Sequence, residues 1–202
     1  LQPFIFQMMY VFVFQYVFKS PGEAGAPYVV WFLPGMAIWQ CLNDSIMSAS
    51  NSIRAYSYLV KKVVFPVDVI PMISIVASSF VALFLVAVAT IVCVIFGYIP
   101  NILELIYVIF ATYCFVIAFT RFTSAVTTVV PDFSNLLGIA MQLFFWFTPV
   151  VWNLSMLENH QKILTLVKCT PFTYLVTAFR EVFIEGNIVT QNNFLFTIVF
   201  WA

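Results

Sequence analysis

The stretch "VALFLVAVATIVCVIFG", residues 81 to 97, has no charged residue and no alternation of polar and apolar positions. With the apolar residues before it, this run is long enough to cross roughly 30 Å of hydrocarbon as a helix. Within a bilayer only helices and closed barrels satisfy their own backbone. A barrel would be written in segments of about ten residues with alternating polarity, which this stretch lacks. The chain is therefore expected to be an all-α membrane protein. Composition agrees: 63% of its 202 residues are hydrophobic and 8% are charged, where soluble domains average about 45–50% and about 25%.

Spans are predicted at roughly 1 to 18, 29 to 53, 69 to 97, 102 to 125 and 134 to 152, with a sixth beginning near 194. This gives a polytopic bundle of about six transmembrane helices. Residues 1 to 202 read as one transmembrane domain, expected to be cut at both ends because spanning runs touch both termini. "KSPGEAGAP" and "GYIPN" are turn-rich loops that fall on one side of the membrane. On the other side Arg54, Lys61 and Lys62 stand against Asp68. The positive-inside rule then makes loop 54–68 cytoplasmic and puts segment 153–193 outside.

Segment 153–193 is too polar to span. In its second half Phe172, Leu175, Val176, Phe179, Val182 and Phe183 recur at helical spacing, with Thr170 placed as N-cap and Pro171 at the first helical position. The pattern predicts an amphipathic helix lying at the interface, preceded by a shorter one over roughly 157 to 168. Together they make an outer-face helical hairpin between spans five and six.

Span two carries Gln40, Asp44, Ser48 and Asn51 on one helical face. A carboxylate mid-span costs roughly 2.5–3.5 kcal/mol on insertion scales, so this stripe is expected to face protein or water. Arg121, in span four, is the candidate partner of Asp44. A packing interface, or a place near the headgroups, would also accommodate the acid. Phe144, Phe145, Trp146, Phe147 and Trp152 cluster near the end of span five. They suit either flat surfaces for sugar rings or an interfacial aromatic belt.

Soluble-enzyme chemistry is missing. No G-x-x-x-x-G-K-[ST] or G-x-G-x-x-G motif occurs, and His160 is the one histidine, so neither a metal site nor a catalytic triad is indicated. The zero net charge indicates no nucleic-acid partner. The four cysteines suggest neither a disulfide framework nor a metal-binding pair.

One block is recognisable beyond its composition. "PGMAIWQCLNDSIMSASNSIRAYSYLVKKVVFPVDVIP" contains Trp39, Asp44, Asn51, Ser52, Ile53, Leu59, Lys61, Lys62, Phe65, Pro66, Ile70 and Pro71. It resembles the second span and following loop of type 2 ABC exporter permeases, particularly those for O-antigen, capsule or teichoic acid. "QLFFWFTPVVW" and "TPFTYLVTAFREVFIEG" are similar to that family's fifth span and to the segment after it, in the same order. The pattern departs at Pro131-Asp132, where the family often has Arg-Asp, and at Thr170, where it has Asn.

The resemblance implies a non-enzymatic subunit in a bacterial cytoplasmic membrane, working as a homodimer with a separate ABC ATPase that holds ATP and Mg. The cargo it implies is a lipid-linked glycan. It also implies a coupling role for Arg54, Tyr56, Leu59, Lys61, Lys62, Phe65 and Pro66 in a short helix docked on the ATPase. The residues alone read equally well as a topology anchor. Likewise it implies that Pro171, Phe172, Leu175, Phe179 and Arg180 belong to gate helices above the translocation path. An exporter of drugs or small lipids shares the fold, and a membrane-embedded enzyme or scaffold would also suit an intramembrane acid and arginine.

Overall fold

The computed structural model describes residues 2–17, 25–58, 67–157, 160–184 and 194–201, and these form helices and connecting turns. In chain order they are α1 (Gln2–Val11, continued by a π-helical turn Phe12–Val17), α2 (Tyr28–Ala55), α3 (Val69–Ile95), α4 (Ile102–Val129) and α5 (Phe133–Phe147). A 3₁₀ turn (Leu154–Leu157), α6 (Gln161–Lys168), α7 (Pro171–Ile184) and α8 (Phe194–Trp201) follow. By length and composition α3 and α4 are apolar enough to cross a membrane, with mean hydropathies of 2.7 and 2.3 over their most apolar windows. Their outward faces are correspondingly greasy: Phe80, Leu83, Phe84 and Ile91 on α3, and Ile106, Phe110 and Phe122 on α4, are all exposed.

α2 is the hub. From Val30 to Trp39 every residue is buried, and α1, α3, α4, α5 and α7 all pack on it. Side-chain contacts fix the directions. Cys93, near the end of α3, donates its thiol at 3.9 Å to the Val30 carbonyl near the start of α2, so α3 runs antiparallel to α2. Ser50 and Thr123 share a 2.6 Å hydroxyl contact near the far ends of α2 and α4, so those two run parallel and nearly in step.

Small side chains make this close packing possible. α3 presents Ala82, Ala89 and Cys93 inward, and α4 presents Ala111, Thr112, Thr120, Thr123, Ser124 and Thr127. Thr112, Thr120 and Thr127 each return the hydroxyl proton to the carbonyl four residues earlier, at 2.7 Å, which leaves little polar demand in an apolar interface. The turn between α3 and α4 closes as a Schellman motif. Gly97 adopts φ +86°, and the Tyr98 amide bonds the Cys93 carbonyl at 2.9 Å. Asn101 then caps α4 by accepting from the Leu103 amide at 3.2 Å.

Two expectations from the sequence change here. Span five stops at Phe147 rather than continuing to 152, because a residue before proline is driven into extended backbone: Thr148, before Pro149, has φ −76° and ψ 137°. The hairpin also forms differently from the expected one. Its two helices, α6 and α7, meet around Cys169 and Thr170, and the Thr170 hydroxyl bonds Thr173 Oγ1 at 2.7 Å. α7, however, does not lie on a surface. Phe172, Leu175, Val176, Phe179, Arg180, Val182 and Phe183 are all buried.

Phe172 meets Trp39, Phe115, Phe119 and Phe144, with ring centroids 4.9 to 6.1 Å apart. Trp39 is about 16 Å along α2 from Tyr28 at 1.5 Å per residue. At the other end of α7 the Arg180 guanidinium carbon sits 3.6 Å from the centroid of the Trp31 ring. The same number of residues separates Phe172 from Arg180 as separates Trp31 from Trp39. α7 therefore climbs antiparallel beside α2, and the tip of the hairpin reaches deep into the bundle. The apolar residues of α7 cover more of its circumference than one interfacial stripe can hold, and helix burial follows from that.

Candidate functional site

α1, α2 and α5 enclose an open cavity of about 570 Å³. α2 contributes Met36, Trp39, Gln40, Asn43 and Asp44, and α1 contributes Phe6 and Tyr10. α5 contributes Gly138, Met141, Gln142, Phe145 and Trp146. The cavity thus has a polar wall on α2 and an aromatic wall on α5. These meet at Trp39 and Phe145, whose ring centroids are 5.6 Å apart.

The polar wall is held from within its own helix. One Asp44 carboxylate oxygen accepts from Gln40 Nε2 at 2.8 Å and from Asn43 Nδ2 at 3.4 Å. The first of these is the i, i+4 contact that the stripe's spacing makes available. Ser48 lies further along the same helix and is exposed, while Asn51 donates to its own helix at the Met47 carbonyl, 3.0 Å away. Arg121 is exposed on α4, and among the described residues no ion pair joins it to Asp44. Within this protomer Asp44 is bonded to polar groups of the cavity on its own helix and not to Arg121. Gln40 and Asn43, on the same helix, both donate to one oxygen of the carboxylate.

The aromatic residues divide. Phe145 and Trp146 line the cavity. Phe144 points instead to the hairpin and stacks on Phe172 at 4.9 Å, interplanar angle 27°. Trp152 donates its indole N–H to the Trp146 carbonyl at 3.0 Å, so it braces the end of α5 across the Thr148-Pro149 break. Phe147 is half-buried and lies outside the cavity lining. Of the gate residues named from the sequence, Phe172, Leu175, Phe179 and Arg180 are in the buried core and Pro171 is half-buried.

At the far end of α2, Arg54 and Tyr56 are exposed, and Tyr56 lies 6.5 Å from Tyr58 between ring centroids. Leu59, Lys61, Lys62, Phe65 and Pro66, expected in the coupling helix, fall outside the described residues.

Sequence reasoning missed Asn43, Gln142 and Tyr10 as cavity residues. Asn43 and Gln142 had a signal, since each is an amide inside a spanning run. Tyr10 had none, because its place depends on how α1 docks, with its ring 5.8 Å from Phe32 and 6.4 Å from Phe145.

The cavity thus sets a carboxylate and amides of α2 opposite aromatic rings of α5. The family model described as ABC-2 type transporter matches residues 1–184. The chain belongs to this family. As an ABC-2 transporter it is a membrane protein and the membrane subunit of a transporter, not the catalytic one, and the family implies an ABC ATPase as partner. It is similar to two proteins named O-antigen export system permease protein RfbA from Klebsiella pneumoniae. One is 22% identical over 92% of this chain and 71% of the relative. The other is 23% identical over 98% and 78%. A protein of the same name from Myxococcus xanthus is 21% identical over 93% of this chain and 72% of its own length.

Proposed function

We propose that this chain is the permease subunit of an ATP-driven exporter that moves lipid-linked polysaccharide, of O-antigen, capsule or teichoic acid type, outward across a bacterial cytoplasmic membrane. The observation that carries the reading is the two-walled cavity. Carboxylate and amide groups at Gln40, Asn43, Asp44 and Gln142 exchange hydrogen bonds with hydroxyls, and Trp39, Phe145 and Trp146 offer flat faces to the apolar sides of sugar rings. The names of the relatives support the same cargo class. A purely apolar cargo has no use for the polar wall, whose burial in a membrane bundle is costly.

In this reading the active unit is a homodimer of the chain with two ATPase subunits, and Mg and ATP are held on the ATPase. The stretch around Arg54, Tyr56 and residues 59–66 lies on the cytoplasmic side and receives the ATPase's motion. The α6–α7 hairpin enters from the outer side and stands above the path as a gate, so residues 1–202 act as one permease unit.

The test is reconstitution of the permease with its ATPase in proteoliposomes. Lipid-linked glycans should stimulate ATP hydrolysis at least threefold over the same lipid carrier without sugar. Asp44→Asn and Trp146→Ala should remove most of that stimulation and leave basal hydrolysis intact. Equal stimulation by the sugar-free carrier, or by unrelated amphiphiles, would overturn the cargo assignment.

A further inference from the structure

The break after α5 leaves backbone carbonyls that no helix can use, inside a bundle where water is scarce. Three consecutive ones are taken by side chains from other helices. Arg180 of α7 donates from Nη1 to the Pro149 carbonyl and from Nη2 to the Val150 carbonyl, each at 2.5 Å. Tyr28, at the start of α2, donates its hydroxyl to the Val151 carbonyl at 3.3 Å. Thr148, Pro149, Val150 and Val151 are all buried, and so is Arg180, at 4% exposure. A planar two-pronged donor suits two adjacent carbonyls, whereas a lysine would reach them only as a point.

The guanidinium also has a prepared berth. It lies on the face of Trp31, 3.6 Å from the ring centroid, a cation–π contact. It also lies against Gly35, one turn further along α2: a methyl group there would overlap the guanidinium, 2.7 Å from Cζ. A glycine next to Pro34 in the interior of α2 is costly for the helix, roughly 1 kcal/mol against alanine, and this berth supplies a reason for it. Trp152, immediately after the capped carbonyls, holds the Trp146 carbonyl, so the position of the break sets where the aromatic wall ends.

We infer that Arg180 is a positioning residue of the exit: through the Pro149 and Val150 carbonyls it ties the gate hairpin to the end of the α5 aromatic wall, in a berth that only Gly35 leaves open. This deepens the reading of the chain as a polysaccharide exporter and rests on it for the word exit, but the mechanical tie is independent of the cargo. Movement of α7 then carries residues 148–152 with it, and the wall and the gate move as one body.

The experiment uses the full-length permease with its ATPase, in membranes, with Cys114 and Cys169 replaced by serine and a reporter thiol introduced as Val150→Cys. Labelling by a membrane-impermeant maleimide should be slow with Arg180 present and at least tenfold faster with Arg180→Gln. Gly35→Ala should accelerate it similarly, and the double change should be no faster than either single one, because both act on one contact. A second reporter, Asn153→Cys at a half-buried site, follows the same segment without a core substitution.

At equal amounts of folded protein, the ratio of cargo-stimulated to basal hydrolysis should fall at least fivefold in Arg180→Gln and be partly restored in Arg180→Lys. Unchanged labelling of both reporters, or faster labelling with an unaltered ratio, would overturn the assignment. If no glycan stimulates the unmodified transporter, the cargo reading fails while the labelling series still judges Arg180.

Discussion

Phe172 of α7 stacks on Phe144 of α5 with ring centroids 4.9 Å apart, and this contact joins the tip of the hairpin to the middle of the bundle. Phe172 also meets Trp39, Phe115 and Phe119, so its removal leaves a cavity with four aromatic neighbours. In soluble cores Phe→Ala costs about 3–5 kcal/mol. Between membrane helices the loss is of packing rather than of water exclusion, so the lower end, about 3 kcal/mol, is expected for Phe172→Ala. A thermal unfolding scan in detergent checks this, with Phe172→Leu expected to lose about half as much. A loss below about 1 kcal/mol would mean that the hairpin tip is not seated in the bundle.

Asp44 and Arg121 should behave as independent residues in the folded protomer. Gln40 and Asn43 hold the carboxylate, and Arg121 is exposed on another helix. Asp44→Asn and Arg121→Gln should therefore have effects on stability that add to within about 0.5 kcal/mol. A coupling larger than about 1 kcal/mol in a double-mutant cycle would show that the two groups meet in some other arrangement of the protein.

The Ser50–Thr123 contact ties α2 to α4 at 2.6 Å, yet its replacement should be mild. Thr123 Oγ1 also donates to its own helix at the Phe119 carbonyl, 3.1 Å away, so its proton keeps a partner when Ser50 is lost. Interhelical hydrogen bonds in membranes average about 0.6 kcal/mol, and Ser50→Ala should cost about that. Larger residues are a different matter. Ser50→Leu would push apart two backbones that approach closely through small residues, and should abolish folding as read by monodispersity on gel filtration.

Tyr56 and Tyr58 are exposed beside Arg54 at the end of α2. If the end of α2 docks on the ATPase as proposed, replacing Tyr56 with serine should leave membrane insertion and Tm unchanged while lowering cargo-stimulated hydrolysis at least fivefold, because its side chain is exposed and takes no part in the buried core. A cysteine at position 58 should be labelled in inside-out vesicles and protected in intact cells. Labelling from outside alone would invert the proposed orientation.

The sequence by itself determined the elements and their chemistry. Apolar runs too long for a soluble strand specified α3 and α4, the Gly97 and Asn101 signals fixed the turn between them, and the spacing of Gln40, Asp44, Ser48 and Asn51 put those residues on one side of α2 before any partner was known. These are local properties, set by hydrogen bonding within a segment and by a period of 3.6 residues, and neighbouring residues suffice to specify them.

Tertiary structure alone decided which faces meet. The pattern on α7 suggested a surface helix, but its breadth of apolar cover is satisfied only when α2, α4 and α5 close around it. Asp44 was legible as a group needing a partner, yet whether that partner was Arg121 or its own neighbours depended on the rotation of two helices that nothing in their separate sequences fixes. Arg180 and Gly35 lie far apart in the chain, and nothing in the sequence joins them. Their roles exist only because the Thr148-Pro149 break brings orphaned carbonyls to the place where α7 passes α2, and a buried carbonyl must find a donor wherever one can fit.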